Sequence, residues 1–474
     1  MKIKFLLFLL FSGIISGFGQ NIMEIIERGS NSVLNVDALN KNGSVSKSSI
    51  LFFISSDGLA ITNSSLMQDA DSIVFTDNRG RKIELNRIVA VHSFANLALV
   101  HLRITRQHNF NFFSPSKIPY GGESEILAFI NQKDTNDGLA YGKIENVRNC
   151  IIGGRVASIR LQGGAASDCA PIIDESGNFI GIYRFAGSNQ KGTLFPASLI
   201  TDTAWVSVNQ TWTDFKHNPE REKLTTPQIS NAIINMSDNK WRDAAQNLTS
   251  VLRNDAKNAT LLALRALSRF SYGNNTGGNE DFNNAIEINP NEYIAYYARA
   301  ISRISNKDNR NALSDLLLAT DKKSDFALGY LEIGKIQVQQ NEIRNAFASF
   351  TFSIQNDSVL DEAWYERGKL MLLHSSNLPE TLNDLSAAAK LNPTLNGVFY
   401  MMGSIKLRQQ KYVEAILDFD KAIQKSPHDT NALLDRGMAY YYNGATGRAC
   451  EDWENAAKKG NTQAIRMIRL YCKK

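Results

Sequence analysis

From about residue 228 onward the chain repeats itself every 34 residues, and no other feature restricts its fold as tightly. Small residues recur at Ala232, Ala266, Ala300, Gly334, Gly368, Gly403 and Gly437, at intervals of 34 with a single interval of 35. A large residue precedes the small one by four, as in Tyr296, Tyr330, Trp364 and Phe399. Another follows it by sixteen, as in Phe282, Leu316, Phe350, Phe419 and Trp453, with Leu385 in the longer unit. Alanines at Ala285, Ala319, Ala388, Ala422 and Ala456 keep the same phase, and Pro290, Pro393 and Pro427 close three units. A unit of this size cannot bury its apolar face alone, so neighbouring units must stack.

This spacing resembles the tetratricopeptide repeat, or TPR. The resemblance implies two antiparallel helices per unit, small residues where the helices cross and large ones filling the gaps. It covers seven units over 228–474, with Thr462 to Tyr471 expected as a capping helix. It also implies a concave face lined by the first helix of each unit. The positions three before and one after the small residue place Tyr297, Leu331, Tyr365, Tyr400, Leu434 and Met438 there, and Tyr441 continues the face. Relatives that clamp a C-terminal carboxylate carry Lys and Asn on this face. Aromatic and aliphatic residues dominate here, so the expected ligand is a protein or peptide held in an apolar groove. The alternative is that this ladder packs against the rest of the chain or a neighbouring subunit.

Before residue 205 the pattern is that of strands. Ser49 to Ile54 is an apolar run, Asp57-Gly58 marks a hairpin, and Leu59 to Thr62 returns. Further short runs fit strands at Ser72–Phe75, Lys82–Leu85, Asn96–Leu102, Glu125–Ile130, Gly142–Val147, Val156–Leu161, Pro171–Ile173 and Phe179–Phe185. Short strands at this spacing argue for barrels or a sandwich.

Four segments in order carry a resemblance to the trypsin-like serine proteases of HtrA type. They are Phe52–Asn63, Asn96-Leu97-Ala98-Leu99, Asp168–Ile182 and Gly192–Pro196. The resemblance covers about 22 to 200 and implies a double β-barrel. It puts Ser65 at the family's histidine, Asn96 at its aspartate and Asp168 at its nucleophilic serine. That chemistry needs a base to take the nucleophile's proton and a third group to orient the base. Ser65 is no base near neutral pH, and Asp168 has no hydroxyl to activate. Ala166, Cys169 and Ala170 replace the family's glycines, which shape the oxyanion-binding loop. The expected catalytic set is therefore empty, with a divergent hydrolase using Cys169 or Asp168 as the alternative. The six histidines, His92, His101 and His108 among them, show no ligand spacing, so neither a metal nor a cofactor is expected.

The four cysteines sit two in each half. The simplest pairing is Cys150 with Cys169 and Cys450 with Cys472; free buried thiols are the alternative. Lys2 and Lys4 before the apolar run Phe5 to Phe11, with small Gly17 and Gly19, read as a signal peptide over 1–19, or as an uncleaved anchor. No later stretch is apolar enough to span a bilayer, so no stable membrane insertion is expected. The net charge of +5 over 474 residues, without a basic run, makes nucleic acid an unfavoured partner. The expected organisation is a signal peptide (1–19), a trypsin-like pseudoprotease (20–205), a linker (206–227) and a TPR array (228–474). Its fold class is an all-β double barrel followed by an all-α TPR solenoid. The expected role is that of an exported bacterial adaptor, periplasmic or secreted, without catalytic activity.

Overall fold

The computed structural model describes residues 22–68, 70–105, 110–116, 120–122, 124–130, 138–152, 154–162, 168–185, 191–374 and 377–472. The expected signal peptide (1–19), Ala166, Ser167 and His108 lie outside the described residues. The chain divides into two compact units, Met1–Ser324 and Asp325–Lys474.

The first unit opens with helix α1 (Ile22–Ser30) and continues as an eight-stranded antiparallel sheet. Its strands are β1 (Val33–Leu39), β2 (Val45–Phe53), β3 (Leu59–Asn63), β4 (Ser72–Thr76), β5 (Lys82–Ile83), β6 (Leu85–His92), β7 (Leu97–Leu102) and the late β14 (Trp205–Gln210). They lie in the order β14-β6-β7-β3-β2-β1-β4-β5. Period-2 alternation is clean in β1, whose even positions Leu34, Val36 and Ala38 are buried. The β2–β3 hairpin turns on Gly58 at φ +103°, where a Cβ would come within 2.4 Å of the Leu102 carbonyl oxygen.

The remaining strands are β8 (Glu125–Phe129), β9 (Leu139–Cys150), β10 (Gly154–Gln162), β11 (Ala170–Asp174), β12 (Phe179–Phe185) and β13 (Lys191–Pro196). They close a barrel in the order β10-β13-β12-β11-β8-β9. The N-terminal region is thus all-β, with one closed barrel and one open sheet where two closed barrels were expected.

Residues 206–227 are not a linker. Most of β14 falls there and pairs with β6, Val206 facing Val91. Two short helices follow, α2 (Trp212–Lys216) and α3 (Arg221–Thr225). Phe215 is fully buried in the core of the open sheet. Trp212 donates to the Asp71 carbonyl, and the Arg221 guanidinium caps the carbonyls of Met67 and Ala70. Polar composition signalled a linker, but a few large side chains in it decide the packing.

Three helix pairs complete this unit: α4 (Gln228–Ser237) with α5 (Trp241–Leu252), α6 (Ala259–Ser271) with α7 (Asn275–Ile288), and α8 (Tyr293–Ser305) with α9 (Asn309–Lys322). One apolar cluster runs from Phe52, Phe129 and Ile182 through Ile229 and Ile233 on α4 to Leu248 and Leu261. The β layers and the first repeats therefore share a core. Arg148 on β9 adds an ion pair to Asp238 at the end of α4, at 2.9 Å, and donates to the Ser237 carbonyl.

The second unit holds four pairs: α10 (Ala327–Gln339) with α11 (Ile343–Asn356), α12 (Asp361–His374) with α13 (Leu378–Leu391), α14 (Val398–Arg408) with α15 (Tyr412–Lys425), and α16 (Thr430–Tyr442) with α17 (Thr446–Lys458). Helix α18 (Thr462–Tyr471) follows. The small-and-large alternation is steric. A Cβ on Gly334 would meet the Phe350 ring at 2.5 Å, and one on Gly437 would meet the Trp453 ring nitrogen at 2.4 Å.

A second periodic signal binds the helices of four of these pairs. Arginine one before the small residue forks onto a buried aspartate on the partner helix: Arg265–Asp281, Arg299–Asp315, Arg367–Asp384 and Arg436–Asp452, at 2.6–2.7 Å. Where the arginine is missing the partner adapts. Beside Ile333 the aspartate position is Ser349, bonded to Gln337, and beside Met402 Asp418 pairs instead with Lys406.

Candidate functional site

The three positions implied to be a lost catalytic triad converge on one polar network, joined by two residues that sequence reasoning did not single out. Asn63 ends β3; its side-chain Oδ1 accepts from the Ser65 backbone N–H at 2.9 Å and the Ser65 hydroxyl at 2.8 Å. Its amide nitrogen donates to the Asp168 carboxylate. Arg184 on β12 is 4% exposed in its side chain and sits 2.9 Å from that carboxylate. Arg184 also reaches the Asn96 carbonyl at 3.5 Å and the Ser230 hydroxyl on α4 at 3.4 Å. The Asn96 side chain accepts from Ser64 at 2.7 Å. The second Asp168 oxygen accepts from the Phe185 N–H, and the Asp168 carbonyl accepts from Ser49.

Strand pleating explains the geometry. Ile182 and Arg184 share one face of β12 while Tyr183 takes the other, within the barrel. A buried guanidinium requires an anion, and Asp168 supplies it. Burial and the nearby Asp168 charge hold the Tyr183 hydroxyl above its ordinary pKa range. The signal for Arg184 was available as one cation inside the apolar run Phe179 to Phe185.

Two residues of this locus hold left-handed backbone, Asn96 at φ 54° and Cys169 at φ 72°. Cys169 is buried, and loss of solvation followed by the Asp168 charge raises its thiol pKa. A thiolate, the nucleophilic form, is thereby disfavoured.

The cysteine pairs separate. Cys450 and Cys472 are joined, with Cα atoms 5.8 Å apart, tying α17 to the end of α18. Cys150 and Cys169 are free thiols, which corrects the pairing expected for them. Cys150 ends β9 at the hairpin turn, whereas Cys169 leads into β11, and β8 stands between these strands in the barrel. Sequence spacing carried none of that order.

The repeat face also departs from expectation. In the first unit Tyr297 is buried. In the second, Leu331 and Leu434 are 1% and 7% exposed and belong to the interhelical cores. Three residues before the crossing point the side chain turns into its own helix pair, and only a long tyrosine reaches past it. The half-buried Tyr365 donates to the Asn396 carbonyl at 3.1 Å, and Lys369 lies over its ring at 5.8 Å. Tyr400 donates to Asp435 at 3.0 Å. Burial pushes the Asp435 carboxyl up, and burial with the Asp435 charge pushes Tyr400 to about 12. Lys335 bridges Glu332 at 2.8 Å and Glu362 at 2.7 Å. Met438 packs against the last apolar cluster, and Tyr441 meets Tyr471 in a tilted ring contact with centroids 4.5 Å apart. The face is a ladder of tyrosines and ion pairs, not an apolar stripe.

Among the described residues no group of three or more His, Cys, Asp or Glu is placed to hold a metal, and no helix is long and apolar enough to cross a membrane.

A family model described as tetratricopeptide repeat matches residues 400–464. Among curated proteins the chain is similar to the DnaJ homolog subfamily C member 7 homolog of Dictyostelium discoideum. The two are 23% identical over 217 residues, 45% of this chain and 36% of that protein. The chain thus spans little more than a third of the length of this curated relative. Among solved structures it is similar to YrrB, a TPR protein with an unusual peptide-binding site. That likeness has a TM-score of 0.37 and 20% identity, covering 40% of this chain and 97% of YrrB. It is also similar to the Rv3671c protease of M. tuberculosis in its active form, with a TM-score of 0.30 and 14% identity over 39% of this chain and 84% of that one. The C-terminal region carries TPR repeats in an all-α solenoid.

Proposed function

We propose that this chain is an exported, non-catalytic adaptor whose TPR array holds a protein or peptide partner and whose β region is an inactive trypsin-like module. The observation that carries the reading is the commitment of Asp168. At the implied nucleophile position stands a carboxylate occupied by a buried arginine and an asparagine amide. A negative charge there opposes the oxyanion that acyl transfer must form. Neither Ser65 nor Asn63 can take up a proton as a general base. The buried Cys169 thiol, with its raised pKa, counts against a cysteine nucleophile as well.

The partner groove runs along Lys335, Tyr365, Lys369 and Tyr400, interleaved with Glu362 and Asp435. Such a face suits an extended peptide of mixed charge rather than an apolar one. Export, to a bacterial periplasm or beyond, rests on the signal-peptide pattern of 1–19 and accords with the Cys450–Cys472 bond. The test is capture from envelope extract by the wild-type chain and by a Lys335→Glu/Lys369→Glu variant. A specific partner recovered by the first and lost from the second supports the reading; equal recovery by both removes the groove from it.

A further inference from the structure

The first unit contains a cleft of about 460 Å³ whose lining includes none of Ser65, Asn96, Asp168 or Arg184. It lies between the outer strand of the open sheet, helix α3 and the turn joining α5 to α6. Its volume falls in the range of ligand-binding clefts, roughly 300–1,000 Å³. Val91 and Val206 from the sheet, with Ile229 and Leu261 from the repeats, give it an apolar floor.

The walls are amides and acids. Gln68, Gln228, Asn254 and Asn258 line it, and a side-chain amide both donates and accepts, as a peptide group does. The charged lining groups are Glu222, Asp255 and Lys223. Lys223 is committed to Glu220 outside the cleft at 2.8 Å. Glu222 has no ion-pair partner among the described residues, and Asp255 accepts from the Asn258 amide at 2.8 Å and feels the Lys223 charge. His92, the remaining titratable lining group, is fully bonded: Nδ1 accepts from the Phe94 and Ala95 N–H groups, and Nε2 lies 3.0 Å from Asp202. Two carboxylates against one lysine, itself shared with Glu220, leave the lining of the cleft net negative. Beside it, β14 pairs with β6 on one side and ends the sheet on the other. An edge strand of this kind accepts an added strand. A left-handed residue at Asn209 bends it soon after Ser207, which limits such pairing to a few residues.

We propose that this cleft is a second binding site, for a short extended polypeptide segment carrying lysine or arginine. Its basic side chain meets Glu222 and Asp255, its peptide groups meet the amide walls, and an apolar neighbour rests on the floor. The site is formed by other residues than the repeat groove and selects a basic segment, where that groove suits mixed charge.

The test is fluorescence anisotropy of two labelled hexapeptides, Val-Lys-Val-Lys-Val-Lys and Val-Glu-Val-Glu-Val-Glu, on the full chain. The variants are Glu222→Gln/Asp255→Asn, which removes the charge, and Ser250→Trp, which fills the cleft from an exposed position without changing charge. The lysine peptide binds and the glutamate peptide does not. Each variant weakens lysine-peptide binding at least tenfold. Absence of lysine-peptide binding, equal binding of both peptides, or binding indifferent to either cleft variant overturns the proposal.

Discussion

Asp168 and Arg184 set the chemistry of the β region. The arginine is buried and the aspartate 27% exposed, so removing the aspartate strands a cation that water cannot reach. Asp168→Ala is expected to cost about 3 kcal/mol in urea unfolding, the lower end for breaking a buried pair, because Asp168 keeps some solvent. Arg184→Met should cost less, and the double variant should recover part of the loss. Additive losses in that cycle would mean that the two side chains do not act as a pair. Ser65, Asn96 and Asp168 were found by their place in a motif. Asn63 entered only as part of that motif, and Arg184 was missed, because a cross-strand partner depends on strand order and pleat rather than on spacing along the chain.

At the level of elements, the repeat was the most legible part of the chain, because helix crossings force small residues into a fixed phase. Gly437→Ala should destabilise residues 325–474 by about 1–3 kcal/mol, since the new methyl meets the buried Trp453 ring and disturbs its bond to the Leu434 carbonyl. Thermal melts of the two chains check it, and an unchanged midpoint would refute the packing account. The same period hid the Arg–Asp forks, legible in retrospect at 265/281, 299/315, 367/384 and 436/452. It also misled about the groove, because counting assigns a face but not how far a leucine reaches.

Asp435 provides a pH test on the same elements. Burial raises its folded pKa above the unfolded value. Stability from the protonated form is complete below the unfolded pKa, near 4, and is lost as pH rises through the folded value. Asp435→Asn should therefore gain stability relative to wild type on going from pH 4 to pH 7. Denaturant melts at both values measure this, and a constant or opposite difference would show that the carboxyl is not held up by its surroundings.

Over the whole molecule, the division seen in composition is not the division in packing. The core that begins at Phe52 continues into α4, α5 and α6, and β14 with Phe215 completes the sheet after residue 205. A fragment of 22–324 should melt cooperatively, while 20–205, stripped of β14 and Phe215, should bind a hydrophobic dye and lack a sharp transition. A cooperative 20–205 fragment would restore the simpler domain picture.

The proposed function requires that the β region does not hydrolyse peptides. The most direct measurement is hydrolysis of unfolded casein by the purified full chain beside its Asp168→Ala variant, with a trypsin standard. Both chains are expected to release no peptide above the buffer control. Cleavage by the wild type that Asp168→Ala abolishes would contradict the claim.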